Sequence, residues 1–208
     1  MLYPRVTKEG DPVNENQMVG VNEHLLHTRR ICFLSGQFTG SMDAHNCLLA
    51  LDDLSHDPIK LVITSVGGDL DSAFLLYDTI CLTKAPIYTL GRYCASAAAL
   101  ILAAGKKRYL MPHAKVMLHP HRMAMGGGSL SDTDLEVVRQ ESKKYKEKMV
   151  DILIDCGVKK TPEAILMDIE NKDFWLEPEE AIKYGLADKI MDKKTLGGWL
   201  RWNRKSVK

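Results

Sequence analysis

The 208-residue sequence has almost no charge excess: 28 lysines and arginines stand against 27 aspartates and glutamates, a formal net charge of +1. That balance excludes a nucleic-acid binder working through a basic face. The basic stretch "RWNRKSVK" at the end reads as a solvated tail. Long apolar runs are missing as well. No segment reaches the ~18 apolar residues of a membrane span, and the polar start "MLYPRVTKEGDPVNENQ" does not read as a signal peptide. The five cysteines (Cys32, Cys47, Cys81, Cys94, Cys156) are odd in number and contain no CxxC pair. They read as reduced thiols of a cytoplasmic protein, or of an organelle matrix or stroma, and as neither a disulfide frame nor a metal site. Neither GxGxxG nor GxxxxGK[ST] occurs, so nucleotide binding has no support.

What is present suits one α/β domain spanning 1–208, with 45% hydrophobic residues to fill its core. Short apolar segments at 31–36, 59–64 and 87–91 alternate with helical patterns, which predicts parallel strands joined by right-handed crossovers. The helix after the first segment takes Ser41 or Asp43 as its cap. After the second, Leu70, Ala73, Phe74, Tyr77, Ile80 and Cys81 form a helical stripe. After the third, "SAAALILAAG" is apolar all round, so it is a buried helix stopped at Gly105. "KRYLMP" and "KVMLH" read as two further strands. Beyond the turn "MGGGS", a charged helix runs to about Cys156, with a thin seam of Leu135, Val138, Tyr145, Met149 and Ile152. So thin a seam implies a helix at a subunit interface. Shorter helices start at Pro162 and around "EPEEAIKYG", and "LADKIM" supplies a last strand.

Two strand-to-helix junctions carry chemistry. In "TSVGGDLDSA" the paired Gly67 and Gly68 let backbone amides point outward, where they can hold an oxyanion. In "GRYCASAAALILAAG", Ser96 opens a helix one βα unit later. Sites in open α/β sheets form at the carboxyl ends of strands, where both junctions fall. A serine nucleophile needs a base, and His113, His119 and His121 are candidates. The base needs an orienting carboxylate, and spacing alone leaves Asp168, Asp173 and Asp188 open.

The stretches "FLSG", "SVGGDLDSAFLLYDTI", "CASAAALILAAG", "KRYLMPHAKVMLH" and "EPEEAIKYGLADKI" resemble the proteolytic subunits of Clp protease, the ClpP family, over nearly the whole chain. The resemblance implies an α/β fold of the ClpP/crotonase-like type, a repeated β-β-α superhelix with a protruding long handle helix over about 128–156 and an N-terminal axial segment over 1–22. It implies Ser96 as nucleophile, His119 as base, Asp173 as orienter and the backbone amides of Gly68 and Ala97 as oxyanion hole. The implied activity is serine endopeptidase cleavage of unfolded polypeptides, with no cofactor in this chain. The implied assembly is a homo-oligomer of two stacked seven-membered rings, fed by an AAA+ unfoldase that uses the ATP.

Two other classes compete with this reading. One is a non-proteolytic paralogue in a mixed ring, against which the retained Ser96, His119 and Asp173 count. The other is a crotonase-type acyl-CoA enzyme, which shares the oxyanion device. Four departures from the family pattern surround the site: Val66 in "SVGG", Arg92 and Tyr93 in "GRYCAS", the stretch "HPHRMAMGGGS", and "ENKDFW".

Overall fold

The computed structural model describes residues 5–6, 19–38, 43–120, 131–170 and 172–200. Strands β1 (Arg5–Val6) and β2 (Val19–Gly20) pair antiparallel, and α1 (Val21–Arg29) follows directly. The N-terminal segment expected over 1–22 otherwise lies outside the described residues.

The main sheet is built from β3 (Ile31–Phe38), β4 (Ile59–Gly68), β5 (Ile87–Ala95), β6 (Lys107–Leu118) and β7 (Phe174–Leu176) in that order, with β8 (Lys189–Ile190) also on β6. All pairings are parallel except β6 with β7. The parallel-dominated α/β architecture read from the alternating pattern is therefore present. The crossovers are α2 (Asp43–Leu54), α3 (Leu70–Leu82) and α4 (Ala97–Ala103). Asp69 caps α3, its carboxylate accepting from the Ser72 amide at 2.8 Å. Every residue of α4 is buried, as an all-apolar helix between a sheet and other helices must be.

The two strands expected from "KRYLMP" and "KVMLH" are one. Along β6 the register to β5 jumps from Gly91↔Leu110 to Tyr93↔Lys115, a break that accommodates Pro112, which has no N–H for a ladder. The first part of β6 then pairs with β8 and the last with β7.

Successive strand residues face opposite sides of the sheet. Cys32, Leu61, Ile63, Ile87 and Leu110 enter the large core, with α2, α3, α4 and parts of three later helices. Ile31, Val62, Leu90 and Tyr109 enter a second, smaller cluster on the reverse side. The later helices are α5 (Asp132–Asp155), α6 (Pro162–Ile169), α7 (Pro178–Tyr184) and α8 (Lys193–Leu200).

The structure amends two expectations. The seam of α5 is not surface throughout: Met149, Val150, Ile152 and Leu153 are buried, and Tyr145 stacks on Phe74 at 5.9 Å. Only the first turns, with Leu135 47% and Val137 55% exposed, present apolar side chains to solvent. The cysteines are not all reduced: Cys32 of β3 and Cys47 of α2 form a disulfide with Cα atoms 6.7 Å apart, leaving Cys81, Cys94 and Cys156 free. A strand and the helix folding back over it bring these two residues together, which their separation of 15 in sequence does not announce.

Candidate active site

Ser96 sits at the junction between β5 and α4 with φ 57° and ψ −127°. A non-glycine residue at positive φ is costly, on the order of 1–3 kcal/mol, and persists only where the surroundings hold it. Two backbone bonds do so. The Ser96 N–H donates to the Met117 carbonyl at 2.8 Å, and the Ser96 carbonyl accepts from the Ala99 N–H at 2.9 Å. This sharp turn puts the side chain at the mouth of a strand–helix junction, half-buried, with the amides of the first helical turn beside it.

The end of β4 packs directly onto that turn. Gly67 has φ +86°, and a Cβ placed there would lie 2.6 Å from the Ala95 carbonyl oxygen, 2.8 Å from Ser96 Cβ and 2.9 Å from the Ala97 nitrogen. Only glycine fits. Gly68, at φ +145°, is equally crowded by the backbone of Phe38. The paired glycines are thus the last ladder residues of β4, opposite Gln37 and Phe38, and not a free loop. The buried Ser65 fixes this end: its hydroxyl donates to the Gly36 carbonyl and accepts from the Gly67 N–H at 3.0 Å. Its role was not read from the sequence, where a serine before a glycine pair signals only a turn. As the first residue of α4, Ala97 has no intrahelical acceptor for its N–H, so that amide is available to a ligand beside Ser96.

The sheet register brings the other expected residues to the same end. His119 follows β6 two residues beyond Met117, the residue hydrogen-bonded to Ser96. β7 runs antiparallel to β6 with Met117↔Trp175 and Leu118↔Phe174 as its last pairs, so His119 and Asp173 are the next residues of the two chains beyond the end of the ladder. His119 Nδ1 lies 2.6 Å from the Pro120 carbonyl oxygen. A carbonyl only accepts, so Nδ1 carries the proton; in the neutral imidazole this tautomer leaves the lone pair on Nε2, the form a general base requires.

The competing residues have other partners or places. Asp168 on α6 accepts from the Tyr184 hydroxyl at 3.1 Å and pairs with Lys160 at 3.2 Å. Asp188 binds Arg108 through both carboxylate oxygens, while the same guanidinium donates to the carbonyls of Cys156 and Gly185 at 2.7 Å each. Burial pushes the Asp188 carboxyl up, but the Arg108 bonds outweigh it and the net shift is downward. His113 is exposed in the register break of β6. His121 and most of "HPHRMAMGGGS" lie outside the described residues. Beside the site, Tyr93 packs at 5.9 Å against Trp175, placing two aromatics where the sequence departs from its resemblance.

The Clp protease family model matches residues 13–194. The chain belongs to the Clp protease family. It is 34% identical over 174 residues to ATP-dependent Clp protease proteolytic subunit 2 of Pseudomonas aeruginosa, covering 81% of this chain and 84% of that protein. Proteolytic subunit 2 of Treponema pallidum is 31% identical over 178 residues, covering 83% and 86%. The chloroplastic proteolytic subunit 4 of Arabidopsis thaliana is 35% identical over 175 residues, covering 81% of this chain and 58% of its own length. The family is one of peptidases, and the acyl-CoA reading is not favoured. Among the described residues no helix is long and apolar enough to cross a membrane.

Proposed function

We propose that this chain is the proteolytic subunit of an ATP-dependent Clp-type protease and a serine endopeptidase acting through Ser96, His119 and Asp173. The observation that carries the reading is the strained Ser96 turn, hydrogen-bonded to the strand that ends one residue before His119. Nε2 of His119 takes the Ser96 hydroxyl proton as Oγ attacks the scissile carbonyl. The oxyanion is met by the N–H groups of Gly68 and Ala97, fixed donors that need no reorganisation as charge develops. The imidazolium then gives its proton to the leaving amine, and water, activated by the same imidazole, hydrolyses the acyl ester. Asp173 accepts the hydrogen bond of the His119 Nδ1–H in place of the Pro120 carbonyl, the proton staying on Nδ1, and so stabilises the imidazolium and holds the tautomer.

The chemistry uses no metal or organic cofactor in this chain. The assembly is a homo-oligomer of two seven-membered rings enclosing the sites, and a Clp-family AAA+ unfoldase supplies unfolded polypeptide at the expense of ATP. Compartment follows the partner: cytoplasm, or an organelle matrix or stroma.

Labelling with a fluorophosphonate probe, with the modified residue mapped by mass spectrometry, tests the reading. Modification of Ser96 that disappears in His119→Ala is expected. Modification of another serine with Ser96 intact would overturn it.

A further inference from the structure

Helices α3 and α5 lie side by side and run the same way. The Tyr145 hydroxyl donates to the Asp71 carboxylate at 2.8 Å, across a sequence separation of 74. The Tyr145 ring stacks on Phe74 at 5.9 Å. One turn on, the Lys148 ammonium lies 4.4 Å from the Phe74 ring centre and keeps that separation. A step along α3 is therefore matched by an equal step along α5. Two turns further, the same pairing sets Cys81, in the last turn of α3, against Asp155 and Cys156 at the end of α5. By the helical repeat, Phe74, Tyr77 and Cys81 share one face of α3, while Tyr145, Met149, Ile152 and Cys156 share one face of α5. Facing residues of helices whose axes pack ~8–10 Å apart can bring their Cα atoms within the ~4.4–6.8 Å that a disulfide spans.

The two sulfurs belong to one cluster. The Tyr77 hydroxyl donates to the Cys81 sulfur, and Cys156 and Asp155 stand within electrostatic reach of Tyr77. Cys156 in turn feels Cys81 and Arg108. Its backbone is held: Cys156 caps α5, its N–H donating to the Ile152 carbonyl at 2.9 Å and its carbonyl accepting from Arg108 at 2.7 Å. The two thiols differ in access, Cys81 being exposed and Cys156 half-buried. Burial first, and Cys81 second, push the Cys156 thiol up to about 12, so it is not the first of the pair to react.

We propose that Cys81 and Cys156 are a redox-active thiol pair, a modification site at which a low-molecular-weight disulfide closes a bond between the ends of α3 and α5. The Cys81 thiolate attacks one sulfur of the oxidant, forming a mixed disulfide and releasing one oxidant thiol. Cys156 then attacks the Cys81 sulfur, and its proton leaves on the second departing thiol. Two protein thiols are oxidised and one oxidant disulfide is reduced to two thiols. The bond clamps the base of α5 to the helix that starts beside Gly68. Pairing across packed elements already occurs in this chain at Cys32 and Cys47.

Oxidised glutathione, added to the native full-length protein, tests this. Non-reducing digestion and mass spectrometry should find the peptide containing Cys81 joined to the one containing Cys156 in most chains. Cys156→Ser should stop with glutathione on Cys81, and Cys81→Ser should leave Cys156 unmodified. Hydrogen exchange over residues 149–155 should slow at least about tenfold on oxidation, and should not slow in Cys156→Ser treated alike, which keeps the Cys32–Cys47 bond. Glutathione that stays on Cys81 of the unmutated protein, or Cys81 bonded to Cys32, to Cys47 or to a second chain, would overturn the proposal. So would an unchanged exchange rate beside a closed bond. The mapping on the unmutated protein stands even if a variant fails to fold.

Discussion

The backbone N–H of Ser96 donates to the carbonyl of Met117 at 2.8 Å, tying the start of α4 to the strand that ends beside His119. Sheet pairing between β5 and β6 thus continues one step past the last ladder residue, and the step ends in a left-handed serine. The bond fixes how far the Ser96 side chain stands from the chain carrying the base.

Ser96 bears the backbone strain, so its two obvious substitutions should separate chemistry from stability. Ser96→Ala should lower peptide turnover by about 10⁴–10⁶-fold, because base and oxyanion donors cannot replace the attacking oxygen. Its folding stability should stay within about 0.5 kcal/mol, since alanine suffers the same strain. Ser96→Gly should be equally inactive but more stable by about 1 kcal/mol, as glycine accepts φ 57° freely. Fluorogenic-peptide assays and denaturant midpoints read both effects. A Ser96→Ala protein cleaving at near the unmutated rate would end the serine mechanism.

His119 and Asp173 should behave as one unit. His119→Ala and Asp173→Ala should each reduce turnover by at least about 10³-fold, and the double variant should lose little more. His113→Ala, His121→Ala and Asp168→Ala should leave turnover largely intact. An inactive Asp168→Ala beside an active Asp173→Ala would move the orienter to α6 and break the argument from the β6–β7 register.

How much of this was legible in the sequence depends on the length of each signal. The run of small residues around Ser96 and the alternation of Val116, Met117, Leu118 and His119 span enough residues to declare a buried helix and a strand, and both are there. Asp173 was reached only through resemblance. The antiparallel strand that follows it and pairs with the end of β6 is the three-residue β7, too short to show a period. The helices α1 and α8 went unread because a polar start and a glycine pair weaken the periodic signal. The Cys32–Cys47 bond was misread because pairing is a property of packed elements, not of spacing.

The crowding at Gly67 gives a matched pair of tests. Gly67→Ala forces a Cβ to 2.6 Å from the Ala95 carbonyl oxygen at φ +86°, against backbone that cannot yield without moving Ser96. It should destabilise by about 2–4 kcal/mol and cut turnover at least about 100-fold. Gly36→Ala also sits at positive φ, +81°, but its Cβ meets nothing within 4 Å. It should cost only about 1 kcal/mol of strain and leave kcat nearly unchanged. Equal activity losses in the two variants would mean that backbone strain, not the Gly67–Ser96 contact, governs the site.

The Arg108–Asp188 pair should appear in acid stability. Asp188 has its pKa lowered below the usual 3.8 in the folded protein, so its contribution is present above that value and is lost as pH falls through the lower folded pKa. Asp188→Asn should therefore destabilise by about 1–2 kcal/mol near neutral pH, a figure kept small because the carboxylate is 44% exposed. The gap between variant and unmutated protein should narrow as pH falls below 3.8 and close once pH has passed the lower folded pKa. A gap that stays constant down to that pH would show that the lost stability comes from packing rather than from the charge.

The first turns of α5 carry the assembly prediction. Its C-terminal half is anchored by Met149, Val150, Ile152 and Leu153, while Leu135 and Val137 stand 47% and 55% exposed near the start. A capping box of Ser131 and Asp134 rigidifies that exposed end, so the helix does not depend on burial to form. Rigid, exposed and apolar is what a subunit contact requires. Light scattering should report an assembly many times the 23.3 kDa chain, fourteen-fold for two stacked rings. Leu135→Glu with Val137→Glu should shift it toward half-size particles, because carboxylates facing one another across a ring contact repel and lose solvation. Circular dichroism should stay unchanged, since neither side chain is in the core. A monomer under native conditions, or an assembly indifferent to both charges, would remove α5 from the contact.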